Sequence, residues 1–171
     1  IDQLRVFLKA HSFPVVQTRE PGGTSIGDQI RATLLALENT EMHPRTEALL
    51  LQASRAQLVE EWIIPHLNKG HIVLCDRYAD STLAYQGYGH QNDLRALKNI
   101  IYYATGGLQP DLTLLLDVDP EIGLQRRNSA GNINRLDTYE IQFHRRVRQG
   151  YLELARAEPG RWVVIDAERL A

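Results

Sequence analysis

The strongest constraint on this chain is an alternation. Short apolar runs at 14–18, 72–76, 112–117 and 162–166 are separated by longer stretches in which apolar residues recur with helical spacing. Strands separated by helices pair side by side through crossovers, because a tight hairpin turn cannot hold an intervening helix. Right-handed crossovers then set helices on both faces of the sheet. The pattern predicts an α/β protein, a mostly parallel sheet flanked by helices in three layers. At 171 residues the chain suits one domain, and at 43% hydrophobic it can fill one core.

The helical stretches carry their own punctuation. Ile1 to Ala10 reads as the latter part of an amphipathic helix, with Ile1, Leu4, Phe7 and Leu8 on one face, no cap and no preceding strand. Pro14 is admissible as the first residue of a strand to Thr18. Arg19 to Thr24 reads as a loop in which Gly22 and Gly23 open backbone conformations closed to other residues. It is either a simple turn or a device projecting Arg19 and Glu20 into a site. Ser25 with Asp28 predicts a helix start, running to about Leu37 with Ile26, Ile30, Leu34 and Leu37 inward. Thr46 with Glu47 predicts a long helix to about Asn68, stopped by Gly70. It carries Leu49, Leu50, Ala53, Leu58, Trp62 and Ile63, more apolar residues than one face requires, with Arg55 among them. Asn92 or Asp93 caps a helix to about Thr105, ended by Gly106 and Gly107. Asp119-Pro120-Glu121 opens another, reaching Arg126 and Arg127. Gly131 and three asparagines make 128–134 a mobile loop, and Asp137 with Glu140 caps a helix to about Ala157.

The central stretch is Ile72 to Gly89. An apolar run ending in Cys75 delivers Asp76-Arg77-Tyr78 at the strand's carboxyl end, the edge where ligands sit in parallel α/β sheets. A carboxylate beside a guanidinium there can hold a metal ion and a phosphate together, or can be a surface ion pair. Ser81, Thr82, Tyr85 and Gln86 follow with helix-like spacing and can hydrogen-bond a flat polar ligand. A net charge of −2 points away from bulk nucleic-acid binding or a polybasic membrane surface. The one cysteine, Cys75, excludes a disulfide within the chain and reads as a small buried hydrophobe. No apolar run reaches the roughly 18 residues of a membrane span, and a reducing cytoplasm is the expected compartment.

DRYADSTLAYQGYG (76–89) resembles the corresponding segment of bacterial thymidylate kinases. TREPGGT (18–24), RTEALLLQASRAQL (45–58) and LQPDLTLLLDVDPEIGLQRR (108–127) resemble the same family in the same order, over nearly the whole chain. The resemblance implies a P-loop NTPase-type sheet, a single nucleotide-kinase domain over 1–171 and transfer of the ATP γ-phosphoryl group to dTMP with Mg²⁺. It implies that Arg77 and Arg19 grip the dTMP phosphate, that Asp76 holds Mg²⁺ directly or through water, and that Glu20 orients Arg19 or a metal-bound water. Arg55, Thr82 and Gln86 would read the thymine edge, Ser81 would line the same site, and Tyr85 would lie against the deoxyribose. Many family members stack Phe on thymine where this chain has Leu51, which forgoes an aromatic term of about 0.5–1.5 kcal/mol. A basic lid at about 126–137 would close over ATP, with Arg127 and Arg135 stabilising the transferring phosphoryl and Arg126 a solvated surface charge. A homodimer through the 46–68 helix matches family habit.

The phosphate-loop signature G-x-x-x-x-G-K-[ST] does not occur in this sequence. In the family it follows a first strand that lies mid-sheet, between the strands matching 72–76 and 112–117. The expectation is therefore a larger protein with roughly 20 to 30 further N-terminal residues and a further helix after DAERLA. The chain alone would then lack the ATP loop and kinase activity. The alternatives are another deoxynucleoside or nucleoside monophosphate kinase, or a non-catalytic relative serving as a binding or dimerising module.

Overall fold

A computed structural model describes residues 1–131 and 133–168. Within them the predicted alternation is present. Helix α1 (Asp2–Ala10) leads to β1 (Val15–Arg19), α2 (Ser25–Leu35) and α3 (Pro44–Leu58). After a π-helical turn (Val59–Ile63), α4 (Ile64–Leu67) leads to β2 (Ile72–Asp76). Next come α5 (Ala79–Thr82), a second π-helical segment (Leu83–Gly89) and α6 (Leu94–Thr105). The chain ends with β3 (Thr113–Asp117), α7 (Pro120–Ser129), a 3-10 turn (Arg135–Thr138), α8 (Ile141–Ala157) and β4 (Trp162–Asp166).

The strands pair in parallel as two separate ribbons, β1 with β2 and β3 with β4. In the first, Val15 sits opposite Ile72 and Arg19 opposite Asp76. In the second, Thr113 sits opposite Trp162 and Asp117 opposite Asp166. One apolar core gathers Ala48, Leu83, Leu97, Ile101, Leu154, Ala155 and Trp162 from α3, the second π-helical segment, α6, α8 and β4. A second surrounds the π-helical turn with Leu58, Val59 and Ile63.

Several local expectations hold. Asp93 caps α6 by accepting from the Arg95 amide at 2.9 Å, and Gly106 ends it in the left-handed conformation at φ +60°. Asp119 caps α7 with Pro120 in its first turn. Others do not. Thr24, not Ser25, caps α2, its hydroxyl accepting from the Gly27 amide at 3.0 Å. Ile26 and Leu37 of the predicted inner face are exposed, and Leu34 carries the contact. His43 rather than Thr46 caps the long helix, which runs as α3, a π turn and α4. Of the apolar residues in excess of one face, Leu49 and Ala53 face solvent. Helix α1 buries none of its residues. Helix α7 persists to Ser129, past the expected fraying at Arg127, and the start expected at Asp137 falls in the 3-10 turn. Asn132 of the expected loop and residues 169–171, where a further helix was expected to follow, lie outside the described residues.

The π-helical segment and α8 meet at glycines. A Cβ on Gly89 would stand 2.6 Å from Phe143, and one on Gly150 would stand 2.5 Å from Tyr88. Real carbon contacts are far longer, so only glycine admits this approach. Arg146 closes the seam by donating to the Gly89 carbonyl at 2.9 and 3.0 Å.

Candidate functional site

The site forms where β1 and β2 end together. Their register sets Arg19 beside Asp76, and the Glu20 amide donates to the Asp76 carbonyl at 2.9 Å. TREPGGT and DRYADST are thereby adjacent in space although more than fifty residues separate them in the chain. Gly22 and Gly23, at φ +116° and +86°, turn the first loop back onto α3, where the Gly22 amide donates to Ser54 Oγ at 3.0 Å.

Arg77 has φ +67°, left-handed backbone uncommon outside glycine. Its Nη2 donates to Tyr85 Oη at 3.1 Å, and its guanidinium lies 4.8 Å from the centre of that ring. Asp76 and Arg77 are therefore not paired with each other. No described residue forms a hydrogen bond or ion pair with the exposed Asp76 carboxylate. Arg19 is exposed too, with only a loose 3.9 Å approach to Asp28.

Behind these charges lies a buried polar cluster. Arg55 is 2% exposed. Its Nε donates to both oxygens of Glu20 at 3.1 and 2.9 Å, and Nη2 donates to Glu20 at 2.5 Å. Its Nη1 donates to Gln52 Oε1 at 2.8 Å and to Thr82 Oγ1 at 3.1 Å. The sequence reading linked Glu20 to Arg19; the structure pairs it with Arg55. Burial pushes the Glu20 carboxyl above its ordinary value while Arg55 opposes that shift. Gln86 donates to Glu47 Oε1 at 2.6 Å. Ser81 Oγ accepts from Tyr151 Oη at 2.8 Å, and burial pushes the Tyr151 hydroxyl up to about 12. Leu51 is half-buried on α3, one residue before Gln52.

Glu47 is the residue that sequence reasoning missed as part of a site. It looked like first-turn acid on a helix, yet its side chain is fully buried. One oxygen accepts from Gln86; the other accepts from Arg135 and, at 3.1 Å, from Tyr139 Oη. His90 Nε2 stands 3.2 Å away, outside good hydrogen-bond alignment. Even so, His90 beside it, together with Arg135 and Gln86, outweighs burial and holds the carboxyl down to about 2. Gln52 was also missed. Its only sequence signal is its spacing, one helical turn before Arg55.

The three lid arginines occupy three different environments. Arg135 is 3% exposed and is held by Glu47, the Leu34 carbonyl at 2.9 Å and Tyr139 Oη at 2.6 Å. The sequence reading put Arg135 in the lid beside Arg127; here the 3-10 turn packs on α2 and α3, where the buried Glu47 charge captures it. Arg126 is exposed, as expected of a surface charge, and it also donates to the carbonyls of Ala167 and Glu168 at 2.9 and 2.7 Å, tying α7 to the strand end. Arg127 keeps a side chain 46% exposed, with one bond at 2.6 Å to Asp137.

Parallel strands followed by helices, with unpaired charges of both signs at the shared strand ends, define an α/β protein with a site for a charged ligand. The thymidylate kinase family model matches residues 1–170, and the chain belongs to that family of phosphotransferases. It is 52% identical to the thymidylate kinase of Roseiflexus sp. (strain RS-1) over 174 residues, covering 95% of this chain and 77% of the relative. The Deinococcus radiodurans thymidylate kinase is 52% identical over 167 residues, with 98% and 81% covered. That of Carboxydothermus hydrogenoformans is 48% identical over 169 residues, with 99% and 82% covered.

Proposed function

We propose that the protein transfers the ATP γ-phosphoryl group to dTMP, and that the acceptor binds across the joined ends of β1 and β2. The observation that carries this reading is the register of Arg19 against Asp76, which gathers two exposed guanidiniums and an unpaired carboxylate above a buried polar cluster. Phosphoryl transfer needs little covalent help; it needs alignment and neutralised charge. Arg77 and Arg19 supply planar forks for the dTMP phosphate. Tyr85 fixes Arg77 from beneath and presents its ring to the sugar. Arg55, Thr82 and Gln86 face the base edge, Leu51 covers its plane, and Ser81 lines the same wall.

A lone unpaired carboxylate suits Mg²⁺, which takes few protein ligands and keeps several waters. Asp76 would hold it, and the ion when bound would neutralise charge on the phosphates. Arg127, exposed and held by a single ion pair to Asp137, takes the lid role toward the transferring phosphoryl. The separation of the strands into two ribbons, with Leu114 and Leu116 of β3 at 43% and 59% exposure, supports a further strand between β2 and β3. That strand would carry the phosphate loop. Exposed Leu49 and Ala53, one turn apart on α3, support a homodimer contact there. No helix among the described residues is long and apolar enough to cross a membrane. A cytoplasmic setting, where ATP and deoxynucleotides are made and used, accords with this reading.

The test is Arg77→Ala in the intact protein, with calorimetric titration of dTMP and of ATP. Two charge-assisted hydrogen bonds of about 1.5–3 kcal/mol each are at stake, so dTMP affinity falls by roughly a hundredfold or more. ATP affinity changes little, and lysine rescues only in part. Unchanged dTMP affinity, or equal loss for both ligands, would refute the placement of the acceptor.

A further inference from the structure

The buried cluster fixes which atoms can donate and which can accept, and that fixes the hydrogen-bonding character of a base laid against it. An ionised carboxylate only accepts, so Gln86 must turn its amide nitrogen toward Glu47, as the 2.6 Å bond records. Its carbonyl oxygen is left over, and no described residue donates to it. The other oxygen of Glu47 is engaged by Arg135 and Tyr139, so the carboxylate cannot rotate away without breaking a buried ion pair.

A second chain of constraints begins at Glu20. Its carboxylate takes the Nε–H and one Nη2–H of Arg55, and both Nη1 hydrogens go to Gln52 and Thr82. A guanidinium only donates, so Gln52 presents its oxygen to Arg55 and its nitrogen to Thr82, at 3.2 Å. Thr82 Oγ1 thus accepts twice, and its own hydrogen has no acceptor among the described residues. Thr82 is a fixed donor and Gln86 a fixed acceptor, one turn apart on the same helical segment.

We propose that Glu47 is a positioning residue whose carboxylate fixes Gln86 as an acceptor toward the base, so that the site selects a pyrimidine carrying a ring N–H beside a carbonyl over an amino-pyrimidine. Thymine and uracil present a carbonyl to Thr82 and an N–H to Gln86. Cytosine presents an amino group to a donor and a bare ring nitrogen to an acceptor, leaving both protein groups unpaired in a buried site. A site of this kind rejects the mismatched analogue strongly. The inference rests on the placement of the base against Thr82 and Gln86 proposed above.

The experiment is calorimetric titration of dTMP and dCMP into the intact protein, wild type, Glu47→Gln, Gln86→Leu and the double variant. In Glu47→Gln the new amide can donate to Gln86 and let it reverse. The dTMP-to-dCMP affinity ratio then narrows roughly ten- to a hundredfold. In the Gln86→Leu background the same substitution narrows it no further. A purely structural Glu47 would lower both affinities together and leave the ratio unchanged, which overturns the proposal. If Glu47→Gln does not fold, Gln86→Leu decides alone: dTMP affinity falls and that of dCMP does not, whereas equal losses overturn the assigned polarity. Gln86→Leu with both affinities unchanged would instead overturn the placement of the base.

Discussion

Replacing Glu20 by alanine removes one half of an ion pair sealed from water. Arg55 and Glu20 side chains are 2% and 3% exposed, and three of the hydrogen bonds Arg55 donates end on that carboxylate. Among the described residues the Arg55 charge has no other anion within hydrogen-bonding reach; Gln52 and Thr82 offer only neutral oxygens. Breaking such a pair from one side costs about 3–5 kcal/mol, because the remaining charge stays buried and uncompensated. For a domain of this size each kcal/mol moves the melting temperature by about 2–4 °C, so Glu20→Ala should melt roughly 6–20 °C lower. Removing both charges should be gentler. Glu20→Met with Arg55→Leu should recover most of the loss, since apolar replacement of a buried pair is often nearly neutral. The assay is urea denaturation of wild type, both single variants and the double variant, followed by far-ultraviolet circular dichroism. A loss below about 1 kcal/mol for Glu20→Ala, or a double variant weaker than both singles, would refute the view that the pair is closed to water.

Acid should expose Glu47. Its carboxyl is held down to about 2, below its unfolded value, so the stability it contributes is complete above pH 4.5 and disappears as pH falls toward 2. The contribution is about 3 kcal/mol, and Glu47→Gln should flatten that part of a stability–pH profile measured by denaturant titration. The two lid arginines should separate: Arg135→Ala should cost about 3–5 kcal/mol of stability by orphaning Glu47, whereas Arg127→Ala should stay within about 0.5 kcal/mol and lower turnover. Thermal melts beside steady-state kinetics distinguish the two. Gly150→Ala should destabilise by about 1–3 kcal/mol through the 2.5 Å approach to Tyr88, and should weaken dTMP binding because Tyr88 shares its helical segment with Tyr85 and Gln86. Calorimetry on the variant checks both effects.

Periodicity and punctuation were enough for the alternation of elements, for Asp93 and Asp119 as caps, and for the DRY segment at a strand end. What escaped the sequence is what depends on partners distant in the chain. Glu47 and Arg135 are 88 residues apart, and no local pattern marks either as half of a buried pair. Glu20 and Arg55 are separated by 35 residues, so the nearer Arg19 looked like the natural partner. The faces of α2 were misjudged because helical spacing alone does not say which neighbour a face meets: Leu34 found one, while Ile26 and Leu37 did not. The π-helical segments add a residue per turn and shift the phase that a 3.6-residue wheel assumes.

The backbone at Arg77 has an implication for any attempt to make this protein sturdier. At φ +67° a side-chain-bearing residue sits where its Cβ crowds the following carbonyl, at a cost of roughly 1–2 kcal/mol. Glycine would be at ease there, and asparagine nearly so. A selection scheme scored on folding alone would therefore drift toward glycine at position 77 and discard the guanidinium over Tyr85. The position is a point at which durability and ligand capture pull in opposite directions, and libraries built for thermal tolerance should hold it fixed.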